Sequence, residues 1–367
     1  MKNLLRLLLK SQHQQNRSGP DQTEKGMTLI ELLIGTVMAF LIITPMLSFV
    51  VDMLNTDRRE QVKSNTEQDI QAAVDFIAQD FSQAIYIYDN NTATDATATG
   101  IPAIGSFLPT VTNGTPILVF WKRQQLKNSL PVNQILTPLP TNCKPDAQPG
   151  TAGECNDSYV LSLVAYYQVK GTTGIWCQPS GDSNTCPTRI VRYQIQDGLK
   201  NPAAPANSAS AQRYFADTDV KSGQTLSPAF NIGTGAGTNA QPGFDISNPT
   251  QRVTNPGIPW DRTDVLVNYL DHSQAGPATT QCTTALGNPT TQTGNAPTPI
   301  LEEQLKIHNS TNTSFYACVD TSKNLARVTI RGNSLRRLQT DAKYDASKSA
   351  FFPTATVQVQ GLGARGK

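Results

Sequence analysis

Residues 24–40 read EKGMTLIELLIGTVMAF, an apolar run that opens at a Gly26–Met27 junction and holds a single carboxylate, Glu31. The run continues to Val51, so that Met27 to Val51 carries no other ionisable side chain. As a helix rising about 1.5 Å per residue it would extend roughly 37 Å, enough to cross the hydrocarbon core of a bilayer. A carboxylate at the centre of such a span costs about 2.5 to 3.5 kcal/mol on insertion scales and less near its end. Glu31 therefore needs a partner.

The flanks give the run a direction. Before it stand Lys2, Arg6, Lys10, Arg17 and Lys25 against Asp21 and Glu24. That excess of cations predicts a cytoplasmic N-terminus and an exported chain after Val51, a single-pass topology in the inner (plasma) membrane. A cleaved secretory signal would need a shorter apolar core and a small-residue cleavage site, which Ser48 to Asn55 does not supply. A plain membrane anchor stays open on composition, but it leaves Glu31 without a purpose. Were the chain cut between Gly26 and Met27, the new α-amine, with an ordinary pKa of about 7.7 to 8.0, would supply the missing counter-charge. In packed copies the carboxylate would also reach a neighbour's amine and set the axial register.

The stretch Gly26-Met27-Thr28-Leu29-Ile30-Glu31-Leu32-Leu33-Ile34 resembles the processing site of type IV pilins and of the pseudopilins of type II secretion systems. The resemblance implies that a prepilin peptidase cuts after Gly26 and methylates Met27. It makes Glu31 the determinant of assembly and methylation, and it packs the apolar helix among other pilins above an inner-membrane assembly platform. Phe is commoner where Met27 stands, and residues 1–26 form a longer leader than most. Pro45 lies inside the run, lacks a backbone donor and is expected to kink or loosen the helix; the resemblance implies melting there on assembly.

From Asp52 the sequence turns polar without Gly or Pro, and Ile70, Ala73, Val74, Ile77, Phe81 and Ile85 recur at spacings of three and four. This predicts an amphipathic continuation of the helix over 52–88, with its apolar face on a domain. Residues 89–106 read as a linker. The head, 89–367, holds strand-like segments: PILVFW ending at Trp121, SYVLSLVAYYQV, TRIVRYQI, TDVLVNYL, SFYACVD, LARVTIRG and TATVQVQ. In LARVTIRG, Val328 and Ile330 alternate with Arg327, Thr329 and Arg331, which predicts a sheet with one wet side. Residues 197–260 and 271–299, rich in Pro, Gly, Asn, Ser and Thr, are expected to be surface insertions. The fold class is thus α+β: a long N-terminal helix on an antiparallel sheet, in the pilin-like manner. The helix and strands together look like minor pseudopilins of the J or W type. Residues 35–89 with the FFPTATVQVQGLG ending are similar to the hormogonium polysaccharide secretion pseudopilins of filamentous cyanobacteria. That resemblance implies a role in polysaccharide export and gliding motility.

All six cysteines, Cys143, Cys155, Cys177, Cys186, Cys282 and Cys318, fall on the side predicted to be exported. An even number in an oxidising compartment predicts disulfides among fifteen possible connectivities, with sequence-local pairing the expectation. No C-x-x-C, H-E-x-x-H, P-loop, dinucleotide fingerprint or G-x-S-x-G accompanies the three histidines, so no enzyme and no cofactor is expected. A net charge of +2 with 16% charged residues argues against nucleic acid as a partner. Acidic stretches YDNNTATD and WDRTD read as turns before they read as calcium ligands, although the resemblance to secretion pseudopilins implies calcium in a loop. Trp176, Trp260, Tyr166, Tyr167 and Phe230 are candidates for a sugar-stacking platform, which would make the chain a pilin-anchored adhesin or glycan-binding module.

Overall fold

The structure, a computed structural model, describes residues 27–91, 100–133, 135, 138–172, 174–179, 183–204, 213–230, 259, 260, 262–274, 276–293 and 296–363. The chain divides into two units, 1–58 and 59–367, with the boundary inside a helix.

That helix, α1, covers Leu29–Ser82 and continues through Pro45 without interruption. Proline removes the donor that would meet the Leu41 carbonyl, and one residue away Thr44 Oγ1 donates to the Phe40 carbonyl at 2.8 Å. In the first unit every described residue is exposed, including Leu29, Phe40 and Phe49 at 87%, 71% and 70%. Its apolar stretch is long and apolar enough to cross a membrane.

In the second unit the expected apolar face is present: Ile70, Ala73, Val74, Ile77 and Phe81 are each 1% exposed and belong to the main core. The helix ends at Ser82 and not at Tyr88, which corrects the expected 52–88 boundary. Residues Ala84–Ile87 instead form strand β1, because Ala84 and Ile87 bury while Ile85 and Tyr86 bring the β-branched and aromatic shapes that suit a pleat. Ile85 consequently leaves the helical face it was expected to complete.

Strands β1, β2 (Gly114–Pro131), β3 (Cys155–Lys170), β4 (Thr188–Gln196) and β5 (Arg262–Leu270) form an antiparallel sheet in sequence order. A second antiparallel sheet has the order β11–β10–β9–β8, from β8 (Lys306–Asn309), β9 (Asn312–Asp320), β10 (Leu325–Arg331) and β11 (Thr354–Gln360). Between them in sequence, β6 (Thr290–Thr293) and β7 (Ala296–Pro299) make a hairpin. The two larger sheets meet where Leu270 bridges Gly332 and the Asp271 amide donates to the Arg331 carbonyl at 3.1 Å. Gly332, just past the end of β10, also lies tight against α1, since a Cβ there would lie 2.2 Å from Ile70 Cδ1 and 2.9 Å from Thr66 Cγ2.

The one-wet-side expectation for β10 fails at two of three positions. Arg331 is buried in an ion pair with Asp271 at 2.9 Å, and Thr329 is buried against Thr356 across the strand pair at 3.0 Å. A covering layer removes the solvent that alternation had implied. The long insertions are likewise not merely surface. Leu199, Phe215 and Val220 bury against Leu126 and Val160 to make a second small core, and Phe230 meets Trp121 edge-to-face at 5.9 Å.

Three disulfides join Cys143 to Cys155, Cys177 to Cys186 and Cys282 to Cys318, the sequence-local set. The second closes the tip of the β3–β4 hairpin. Behind it the buried Arg336 donates to the carbonyls of Thr185 at 2.7 Å, Cys177 at 3.1 Å and Gln178 at 3.2 Å.

Candidate functional site

Two arrangements stand out, one in each unit. The first is the start of α1. Thr28 precedes the first helical residue, and its amide and its hydroxyl both donate to Glu31 Oε2 at 3.0 Å. In return the Glu31 amide donates to Thr28 Oγ1 at 3.3 Å. This is a capping box: a Thr and a Glu three residues on satisfy each other's backbone donors, which a helix start otherwise leaves without partners. Glu31 thus has a role in one copy that sequence reasoning missed, although Thr-x-x-Glu ahead of an apolar run is its usual signature. Met27, 77% exposed, begins the described chain, and Gly26 lies outside it with the rest of the 1–26 leader.

The second arrangement is a buried charge cluster on the other half of α1. Asp80 accepts from Lys122 of β2 at 2.6 Å, from the Tyr166 hydroxyl of β3 at 2.7 Å and from Arg192 Nε of β4 at 2.8 Å. Helix periodicity places Asp80 between Ile77 and Phe81, so it must enter the interior with them. Burial pushes its carboxyl upward, but the Arg192 hydrogen bond and the Lys122 charge outweigh that and hold it below the ordinary carboxylate range. The same environment, burial first and the Asp80 charge second, pushes the Tyr166 hydroxyl well up, so it remains a donor. Nothing here is shaped for turnover: Asp80 has its oxygens occupied by donors, and the cations are held by it. The cluster fastens a helix to three adjacent strands. Sequence reasoning passed over Asp80, Lys122 and Arg192, whose only signal is a charge interrupting an apolar face or strand.

The aromatic candidates do not assemble into one exposed platform. Tyr166 is buried in the cluster just described, Tyr167 is 3% exposed with its hydroxyl on the Pro109 carbonyl at 3.0 Å, and Phe230 belongs to the core. Trp260 packs partly buried against that core. Trp176 carries Arg189 over its ring at 5.0 Å. Of the acidic stretches, Asp89 accepts from the Asn91 amide at 3.0 Å, a turn of the Asx kind; Asp95 and Asp261 lie outside the described residues.

Set against family models, curated proteins and solved structures, the chain finds no match in any of the three.

Proposed function

We propose that the chain is a minor pseudopilin, a subunit of a filament of the type IV pilus or type II secretion kind, which supports polysaccharide export and gliding motility. The observation that carries the reading is the capped carboxylate at the head of an exposed apolar helix. Both Thr28 bonds fall on Glu31 Oε2, and among the described residues Oε1 has no partner. A cut between Gly26 and Met27 by a prepilin peptidase would place a cationic amine next to this cap. Oε1 then serves the amine of an adjacent copy, while the apolar stem packs with other pilins.

On this reading the fold is of the pilin kind. The N-terminus faces the cytoplasm before assembly, the head lies outside the plasma membrane, and an inner-membrane platform extracts the subunit. The chain itself makes no covalent bond; it supplies packing, register and a shaped head.

Mass spectrometry of the N-terminus isolated from the native cells tests this. The expected species starts at N-methylated Met27, a Gly26→Asp variant keeps the leader, and a Glu31→Leu variant is cut but neither methylated nor incorporated into filaments. A wild-type protein that retains Met1 overturns the proposal.

A further inference from the structure

Where the two larger sheets adjoin, the head has a cleft of about 490 Å³, within the size range of small-ligand sites. It gathers residue 113 ahead of β2, the end of β3, the return of the disulfide-closed hairpin, the segment after β5, the β8–β9 turn and residues 343 and 344. Its lining is chemically one-sided. Six carboxamides, three aliphatic hydroxyls, two lysines, one histidine and one tyrosine line it, and among the described residues no carboxylate and no aliphatic side chain does. Such a wall is rich in hydrogen-bonding groups, and its cations have no acidic counterpart in the lining.

The walls are built and held. Asn309 donates to Thr115 Oγ1 at 2.6 Å and accepts from the Thr311 amide at 2.9 Å, so the turn is fixed. Asn312 donates to the Asp271 carbonyl at 2.8 Å and accepts from the Ser314 amide at 2.7 Å. The Gln168 amide lies 3.0 Å from the Asn312 side chain. On this frame stand two lysines and a tyrosine. Lys170 is exposed and has no carboxylate partner among the described residues, whereas Lys343 is paired with Asp341 at 3.4 Å. The half-buried Tyr344 is steadied edge-to-face by Phe352 at 5.2 Å and has Arg331 over its ring at 5.8 Å, which leaves the opposite face for a ligand.

We propose that this cleft binds a carboxylated sugar unit, with Lys170 meeting the carboxylate, Tyr344 lying against the ring and the side chains of Asn113, Thr188 and Gln274 pairing with its hydroxyl groups. An amide offers donor and acceptor together, as a sugar hydroxyl does, and an aromatic ring covers the C–H face of a pyranose. A single unpaired ammonium matches one carboxylate per sugar better than the dense charge of a polyphosphate, which arginine forks and backbone amides usually take. The proposal does not rest on the filament reading, since it concerns the head alone.

Titration calorimetry of the full chain in detergent tests it, with trigalacturonic acid as the acidic probe and galactotriose as its neutral counterpart. Saturable binding of the acid is expected, with the neutral sugar about tenfold or more weaker, as loss of one charge-assisted bond implies. Lys170→Gln removes the preference for the acid, and Tyr344→Ala weakens both sugars. Lys170 is exposed, whereas Tyr344 packs on the small cluster of Leu335, Ala342 and Phe352, so an unchanged far-ultraviolet dichroism spectrum is required of each variant before its binding is read. No binding of either sugar overturns the proposal, as does equal binding of both. Binding of the acid by a Lys170→Gln/Tyr344→Ala double variant as tightly as by the wild type overturns it too.

Discussion

Asp80 is a single carboxylate meeting donors from β2, β3 and β4, and its loss takes from the buried Lys122 and Arg192 the carboxylate they meet at 2.6 and 2.8 Å, while Arg192 keeps the exposed Asp264 at 4.0 Å. Removing one member of a buried pair typically costs about 3 to 5 kcal/mol, so Asp80→Ala should destabilise the head by that order in urea unfolding of the full chain. The pH dependence has a definite sign. Because the folded carboxyl is held below its ordinary value of 3.8, its contribution is fully present above that value. It disappears as pH falls below about 4. The wild-type urea midpoint should therefore drop toward that of Asp80→Asn on acidification, and a gap unchanged between pH 6 and pH 3 would contradict this. Glu31 belongs to the same scale with opposite surroundings, being exposed in one copy and, among the described residues, answered by Thr28 alone.

At the scale of elements, α1 and β10 meet through Gly332. A side chain there would strike Thr66, a β-branched residue with little rotamer freedom in a helix, as well as the tip of Ile70. Gly332→Ala should cost about 1 to 3 kcal/mol, the usual range for overpacking. Ile70→Val, which removes the colliding methyl, should recover part of that in the double variant, giving a measurable coupling in a double-mutant cycle. Six strand segments were legible from alternation and β-branched content with ends within three residues of the observed ones; the seventh, PILVFW, marks only part of β2, which runs on to Pro131. The missed strands explain themselves. β1 continues a helical spacing in Ala84 and Ile85 and declares itself only by burial, β8 is four residues of mixed polarity, and β6 and β7 are built from Thr, Gln, Pro and Ala. Burial on both faces of β10 depends on a covering layer that no local pattern carries. The cleft is illegible for the same reason, as its walls come from six separated places in the chain.

For the whole molecule, two measurements bear on how the parts are held. The apolar stretch of the first unit should keep the full chain in the membrane fraction through alkaline carbonate extraction. Release into the supernatant would deny the span. In the second unit the three disulfides close loops of unequal length. Cys282–Cys318 spans 36 residues and Cys177–Cys186 spans 9. In the chain-entropy account a fourfold longer loop is worth about 1 kcal/mol more. The Cys282→Ser/Cys318→Ser pair should therefore lower the unfolding free energy by that much beyond Cys177→Ser/Cys186→Ser. The three-point grip of Asp80 carries a mechanical meaning as well. A tug along the stem is shared sideways among three neighbouring ribbons that must slip together, so this joint resists tension in shear rather than opening like a zip, one link at a time.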